Sequence, residues 1–223
     1  MGRTKRMKKL YLKIRGMCLK SYFDYLHKKT TKEISKFPEF KGFHKISRYS
    51  RECIITEKID GTNGLICIDE KNNIFAGSRN RWLWGSTQSE IHNDNHGFAK
   101  WVKENKEELL RLGKGYHYGE FWGKGIQRQY DLKEVRFSLF NVSKWADDTI
   151  RPKCCSVVPV LFRGEFTTQN VFDALDLLKI KGSYARPEYM NPEGIVIFHV
   201  ASGHYYKKTI DGDSSKYEQT DQT

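Results

Sequence analysis

Apolar positions recur along this chain in two rhythms. From residue 52 onward, short runs rich in Ile, Phe and Tyr alternate or run apolar over 52–59, 64–70 and 73–78. These predict three strands, the last two joined across Lys71-Asn72-Asn73. Residues 97–112 carry Phe98, Trp101, Val102, Leu109 and Leu110 at helical spacing. Strands are predicted again at 115–121, 135–142 and 157–162. A second helix is predicted over 168–180, with Thr168 or Gln169 as its cap and Val171, Phe172, Leu175 and Leu178 on one face. A strand pair at 193–200 and 204–210 closes the series. Before this region, residues 1–33 mix Leu10, Leu12, Ile14, Leu19, Tyr22, Phe23 and Leu26 with many lysines. That pattern predicts one or two basic amphipathic helices or a partly ordered arm. The chain turns extended around Phe37-Pro38. Strands outnumber helices, and the two types mix without strict alternation. The expected class is α+β, with antiparallel β-sheets flanked by helices. The expected organisation is a basic N-terminal segment at 1–33 followed by one domain at 34–223.

The 223 residues suffice for one well-buried domain with a small appendage, and an aromatic content of 13% argues against disorder over most of the length. No run approaches the roughly 18 apolar residues of a membrane span. Arg3, Lys5, Arg6, Lys8 and Lys9 resemble the basic start of a signal peptide, but Lys13, Arg15 and Lys20 interrupt the segment where its apolar core should lie. The five cysteines include no C-x-x-C pair, and Cys154-Cys155 are adjacent. Reduced thiols and an unsecreted protein are expected, in the cytoplasm or the interior of a host cell.

Charge sharpens this picture. Residues 1–48 hold 15 Lys/Arg and 3 Asp/Glu, a net +12 that equals the net charge of the whole chain. Such a segment suits a polyanion, above all nucleic acid, or else serves as a solvated arm.

The neutral remainder contains "TEKIDGTNG" at 56–64, where Lys58 stands between two predicted strands, backed by Asp60 and Gly61. It is either a solvated hairpin lysine or a nucleophile. A lysine that attacks the α-phosphorus of a nucleotide must lose its proton. It also needs cations or a metal against the phosphate, a carboxylate to hold that metal, a second carboxylate for the ribose and a ring for the base. Candidates follow in order. "AGSRNR" offers Ser78 and Arg79, with Arg81 as competitor. "YGEFWGKGIQ" offers Glu120, "RFSLFNV" offers Phe140, "PEGIVIF" offers Glu193, and "HYYKKTI" offers Lys207 and Lys208. The competing structural readings are a strand ion pair for Glu120 and a core aromatic for Phe140. His92 and His96, in "HNDNH", lack a third ligand and read as loop residues.

The set resembles the nucleotidyltransferase superfamily of ATP-dependent ligases and capping enzymes. Within it, the chain is most similar to the T4 RNA ligase 2 type, which includes the trypanosome RNA-editing ligases. Lys58-Ile59-Asp60-Gly61 matches the superfamily's Lys-x-Asp-Gly. Glu57 and Gly61-Thr62-Asn63 match the RNA ligase 2 version of it. Gly119-Glu120-Phe121 with Gly123-Lys124-Gly125-Ile126-Gln127 matches a second motif, Glu193-Gly194 a third, and Lys207 the last. Lys-x-Asp-Gly alone is a weak signal in a lysine-rich chain, whereas "EKIDGTNG" together with "GEFWGKGIQ" is specific.

The resemblance implies an ATP-dependent RNA ligase with an adenylation domain, working through lysyl-AMP on Lys58. It implies that Glu120 binds ribose, that Phe140 stacks on adenine, and that Glu193 and Glu57 organise Mg2+ or Mn2+. Arg79, Lys207 and Lys208 would contact phosphate, Asn63 would lie near the triphosphate or its metal, and Asp60 would support the Lys58 loop. The implied partner is nucleic acid with 5′-phosphate and 3′-hydroxyl ends, RNA in a duplex or hybrid nick, bound by a monomer. A DNA nick ligase, a GTP-dependent capping enzyme and an idle nucleic-acid-binding module remain as alternatives.

Two departures from the family pattern stand out. The last motif is usually Lys-x-Lys, and here the lysines are adjacent. Neighbours in a strand point to opposite faces, so one of the two faces the nucleotide. Lys207 is the expected one, with Thr209 sharing its face and Lys216 as a further source of charge. Secondly, only six residues follow Tyr217, so no C-terminal OB domain is expected, and the basic residues 1–33 are expected to serve as the clamp on nucleic acid.

Overall fold

A computed structural model of the chain describes residues 42, 43, 45, 46, 51–91, 93, 94 and 96–212. The chain divides into two units, Met1–Ile46 and Ser47–Thr223, and all the elements below belong to the second. The predicted N-terminal helices, His92 and Lys216 lie outside the described residues.

Two sheets carry the fold. The first has four strands in the order β10-β9-β1-β8: His204–Thr209, Gly194–His199, Glu52–Lys58 and Val160–Glu165, all antiparallel. The second has six, β4-β3-β2-β5-β6-β7: Trp82–Gly85, Ile74–Gly77, Thr62–Ile68, Gly115–Gly123, Val135–Leu139 and Cys155–Val157. Only β6 and β7 run parallel within it. β1 is central and buried on both faces, which explains its unbroken apolar run Cys53–Ile55. Cys53 and Ile55 pack on one side with Ala174, Leu175 and Leu178 of a long helix, Thr168–Lys181. Ile54 contributes to a separate cluster with Trp122, Tyr130 and Val158. The second sheet is covered by Phe98, Ala99, Val102, Leu109 and Leu112. Among the described residues no helix is long and apolar enough to cross a membrane.

Several predicted boundaries move, for local reasons. The helix expected over 97–112 breaks at Asn105, whose φ of −101° and ψ of 13° leave the helical region while its side chain bonds the Trp101 carbonyl at 2.8 Å. It becomes α1 (Phe98–Glu104), α2 (Lys106–Leu109) and a tight turn, Leu110–Leu112. The strand expected over 157–162 splits around Pro159, which has no N–H for a ladder. β7 stays in the second sheet and β8 crosses to the first. Leu139 ends β6, and Asn141 caps a short α3 (Val142–Trp145), accepting from the Lys144 N–H at 3.0 Å. The long helix, α4 (Thr168–Lys181), is capped by Thr167, whose hydroxyl accepts from the Asn170 N–H at 3.1 Å, and not by Thr168 or Gln169. β4 has no counterpart among the strands that the sequence pattern predicts.

Candidate active site

Lys58 is the last residue of β1 and pairs across the sheet with Gly194 of β9. That register sets Glu193 beside it, and Lys58 Nζ donates to Glu193 Oε2 at 2.5 Å. The pair is largely enclosed, with side-chain exposures of 24% and 17%. Glycine at 194 is obligatory, because a Cβ there would lie 2.2 Å from the Lys208 carbonyl oxygen of β10. The glycine of Lys-x-Asp-Gly has a similar reason. A Cβ on Gly61 would meet the Phe121 carbonyl oxygen at 2.5 Å and Trp122 Cβ at 2.8 Å. The loop after Lys58 is therefore pressed onto β5, the strand that carries Glu120.

Glu120 sits opposite Asn63 of β2. Asn63 Nδ2 donates to Glu120 Oε2 at 3.3 Å, and Arg79 Nε donates to Asn63 Oδ1 at 3.0 Å. Burial pushes the Glu120 carboxyl up to about 7; Lys58 and Arg79 oppose this shift, while Glu193 and Asp60 reinforce it. Lys58, Asp60, Asn63, Arg79, Glu120 and Phe140 all border one open cavity of about 1410 Å³. Phe140 is 36% exposed at its rim, so it is not a core aromatic. Arg81 borders the cavity too, but its guanidinium is turned to the Asn93 carbonyl at 3.1 Å, whereas Arg79 reaches the Glu120 network. His96 is a turn residue at the cavity edge, as expected of a loop position.

The adjacent lysines separate as strand alternation requires. Thr56, Val196 and Lys207 form one row across β1, β9 and β10, and Thr56 and Val196 border the cavity. Lys207 thus shares the face of Lys58, exposed on the edge strand. Lys208 points the other way, with Nζ 5.4 Å from the centre of the Phe172 ring on α4. A phosphate-contacting role for Lys208 is corrected by this register.

Glu57 needs the same correction. It borders the cavity but is 1% exposed, and both carboxylate oxygens are taken. Oε1 accepts from the Ser183 hydroxyl at 2.6 Å, and Oε2 accepts from the N–H groups of Tyr184 and Ala185 at 2.8 Å each. Burial raises its pKa against these three bonds. Glu57 anchors the loop after α4, and three of its four lone-pair positions are filled by protein donors. Among the described residues no group of three or more His, Cys, Asp or Glu forms a metal cage. Glu193 presents a carboxylate bonded to the lysine, and Asp60 and Glu120 border the same cavity as Lys58. That donor set fits Mg2+ or Mn2+ arriving with nucleotide phosphates, since Mg2+ is usually held by one or two carboxylates plus substrate oxygens.

A sequence profile described as RNA ligase matches residues 51–211. The chain belongs to the RNA ligase family. Solved structures of the Naegleria gruberi RNA ligase share its fold. An apo mutant form matches with a TM-score of 0.53 at 19% identity, over 72% of this chain and 50% of its own. A mutant with ATP and Mn gives 0.52 and 19% over 72% and 49%. Another, with AMP and Mn, gives 0.52 and 18% over 72% and 50%. This chain spans about half the length of those structures. No curated protein sequence matches it.

The ligase-family motifs left four residues of the site unnamed: Arg128, Tyr130, Asn191 and Asp211. Tyr130 is fully buried, and its hydroxyl accepts from the Asp60 N–H at 2.9 Å. Arg128 Nε lies 3.2 Å from Asp60 Oδ2. Both follow "GKGIQ" directly, the one sequence signal that pointed near them. The backbone there is unusual, with Gln129, Tyr130 and Asp131 at φ of 57°, 53° and 51°. Each non-glycine residue held in that left-handed region costs about 1–2 kcal/mol.

Proposed function

We propose that this chain is an ATP-dependent RNA ligase of the T4 RNA ligase 2 type, joining a 5′-phosphate to a 3′-hydroxyl through lysyl-AMP on Lys58. The observation that carries this reading is the meeting of the Lys58 amine with Glu193 at the cavity bordered by Glu120, Arg79 and Phe140. The family assignment and the ATP and AMP bound by structures of like fold support it.

In this mechanism Lys58 Nζ attacks the α-phosphorus of ATP. The N–P bond forms, the bond to the bridging oxygen breaks, and pyrophosphate leaves. An amine in an ion pair carries its proton, so the contact with Glu193 must open before attack, and Glu193 Oε2 is the nearest acceptor for that proton. Glu120 offers a carboxylate to the ribose hydroxyls, Arg79 a guanidinium to phosphate oxygens and Phe140 a ring face to the base. Lys207, on the Lys58 face, adds positive charge at the edge of the site. Mg2+ or Mn2+ bound with the triphosphate and Glu193 would supply further positive charge against the phosphate oxygens. The 5′-phosphate of the broken strand then displaces Lys58 from AMP. The 3′-hydroxyl in turn displaces AMP and seals the strand.

The test is transfer of label from α-labelled ATP to the protein, compared with labelled GTP, followed by sealing of nicked RNA, hybrid and DNA duplexes. Lys58→Ala should remove the label while leaving sealing of a pre-adenylylated strand largely intact. Label on the Lys58→Ala protein would refute the assignment. Preference for GTP would mark a capping activity instead.

A further inference from the structure

Arg128 spends its guanidinium on three separate segments. Nε meets Asp60 Oδ2 at 3.2 Å, Nη1 meets Asn191 Oδ1 at 2.8 Å, and Nη2 meets Asp211 Oδ2 at 2.9 Å. Asp60 lies two residues after Lys58, Asn191 two before Glu193, and Asp211 four after Lys207. One planar fork therefore ties together the three stretches that hold the nucleophile, its carboxylate partner and the edge-strand lysine. Lysine, with a single ammonium on a flexible stem, has no equivalent fork. Two residues on, the fully buried Tyr130 ring is clamped between Trp122 and Tyr189, at centroid distances of 4.8 and 4.6 Å. Its hydroxyl fixes the Asp60 N–H. Tyr189 returns a bond to the Arg128 carbonyl at 3.2 Å. The left-handed run Gln129–Asp131 aims both side chains at one loop, and these contacts hold that unfavourable backbone in place.

We infer that Arg128 and Tyr130 are positioning residues that set Lys58 for attack on the nucleotide. The inference rests on the lysyl-AMP reading above. Neither residue borders the cavity, and each nitrogen of the Arg128 guanidinium already has a protein acceptor, so the pair acts through the Lys58–Gly61 loop and not by touching substrate.

The experiment uses Tyr130→Phe, which keeps the ring and removes one hydroxyl, and Arg128→Lys, both in the full chain. Three quantities are read: label transfer from ATP as a function of ATP concentration, sealing of pre-adenylylated RNA, and amide hydrogen exchange across 58–62 and across β5. A displacement of the amine by about 1 Å costs on the order of a hundredfold in rate. The expected result is a maximal labelling rate reduced at least about tenfold in both variants, with KM for ATP within about threefold. Sealing of pre-adenylylated RNA by Tyr130→Phe should stay near wild type. Exchange over 58–62 should quicken about tenfold or more while β5 keeps its protection. Unchanged labelling with unchanged exchange overturns the inference. Loss of protection in β5 as well overturns it in favour of a general folding role. A wild-type protein that takes no label from ATP sinks the ligase reading instead, and the exchange data then still decide whether Arg128 and Tyr130 hold the loop.

Discussion

Glu120 is held in a setting that costs stability at neutral pH, and Glu120→Gln should reveal that cost. The carboxyl is pushed from 4.5 up to about 7, first by burial and then by Glu193 and Asp60. A carboxyl whose pKa is higher in the folded state binds its proton more tightly there than in the unfolded chain. Its contribution is therefore fully present below pH 4.5, falls as the pH rises, and is lost once the pH passes about 7. A displacement of that size, at 1.36 kcal/mol per pKa unit, is worth about 3 kcal/mol. Glutamine keeps the shape and never ionises. Relative to wild type, Glu120→Gln should gain little at pH 4.5 and about 3 kcal/mol by pH 8, a rise in Tm of very roughly 6–12 °C for a domain of this size. Urea unfolding of both proteins at half-unit pH steps reads the difference directly. The same variant should label poorly from ATP, because an amide is a weaker acceptor for ribose hydroxyls than a carboxylate. A stability difference that stays flat from pH 4.5 to pH 8 would show that water or a neighbour's rearrangement screens Glu120, and the argument from burial would fail.

Three further outcomes are expected. Lys207→Ala should impair label transfer far more than Lys208→Ala, because only Lys207 shares the face of Lys58; equal losses in the labelling assay would contradict the register. Gly61→Ala forces a Cβ to within 2.5 Å of the Phe121 carbonyl oxygen. It should lower stability by about 1–3 kcal/mol in thermal unfolding, and an unchanged Tm would show that the loop has room to move. Deleting residues 1–33 should flatten the salt dependence of nick binding, by about 0.9 in log–log slope per lost phosphate contact on duplex DNA. Formation of lysyl-AMP from free ATP should persist, and a soluble truncation with the wild-type slope would end the idea of a basic clamp.

What could be read from the chain and what could not divides along physical lines. Lys58, Asp60 and Gly61 announce themselves because the turn between β1 and β2 is local, and the close approach to β5 demands glycine at a fixed offset from the lysine. The period of two in a strand separates Lys207 from Lys208, and the match of Lys207 to the family's last motif selects between them. The same rule, applied to Glu57 and Lys58, turns Glu57 away from the lysine's face and towards the Ser183–Ala185 loop that holds it. The break at Asn105 and the change of sheet at Pro159 also had local signals, a helix-interior asparagine and a proline within a run. Arg128 had none. Its partners lie 68, 63 and 83 residues away, and no local spacing connects a guanidinium to acceptors at such separations. The motif residues can therefore be recognised singly, but their mutual placement depends on contacts that only the folded chain supplies. Lys58 illustrates the consequence. Its motif marks the lysine, while its place beside Glu193 follows from the pairing of β1 with β9, and the loop after it is tied at the Asp60 N–H to a buried tyrosine on a left-handed turn. A chain could keep every motif residue and still lose activity by relaxing that turn.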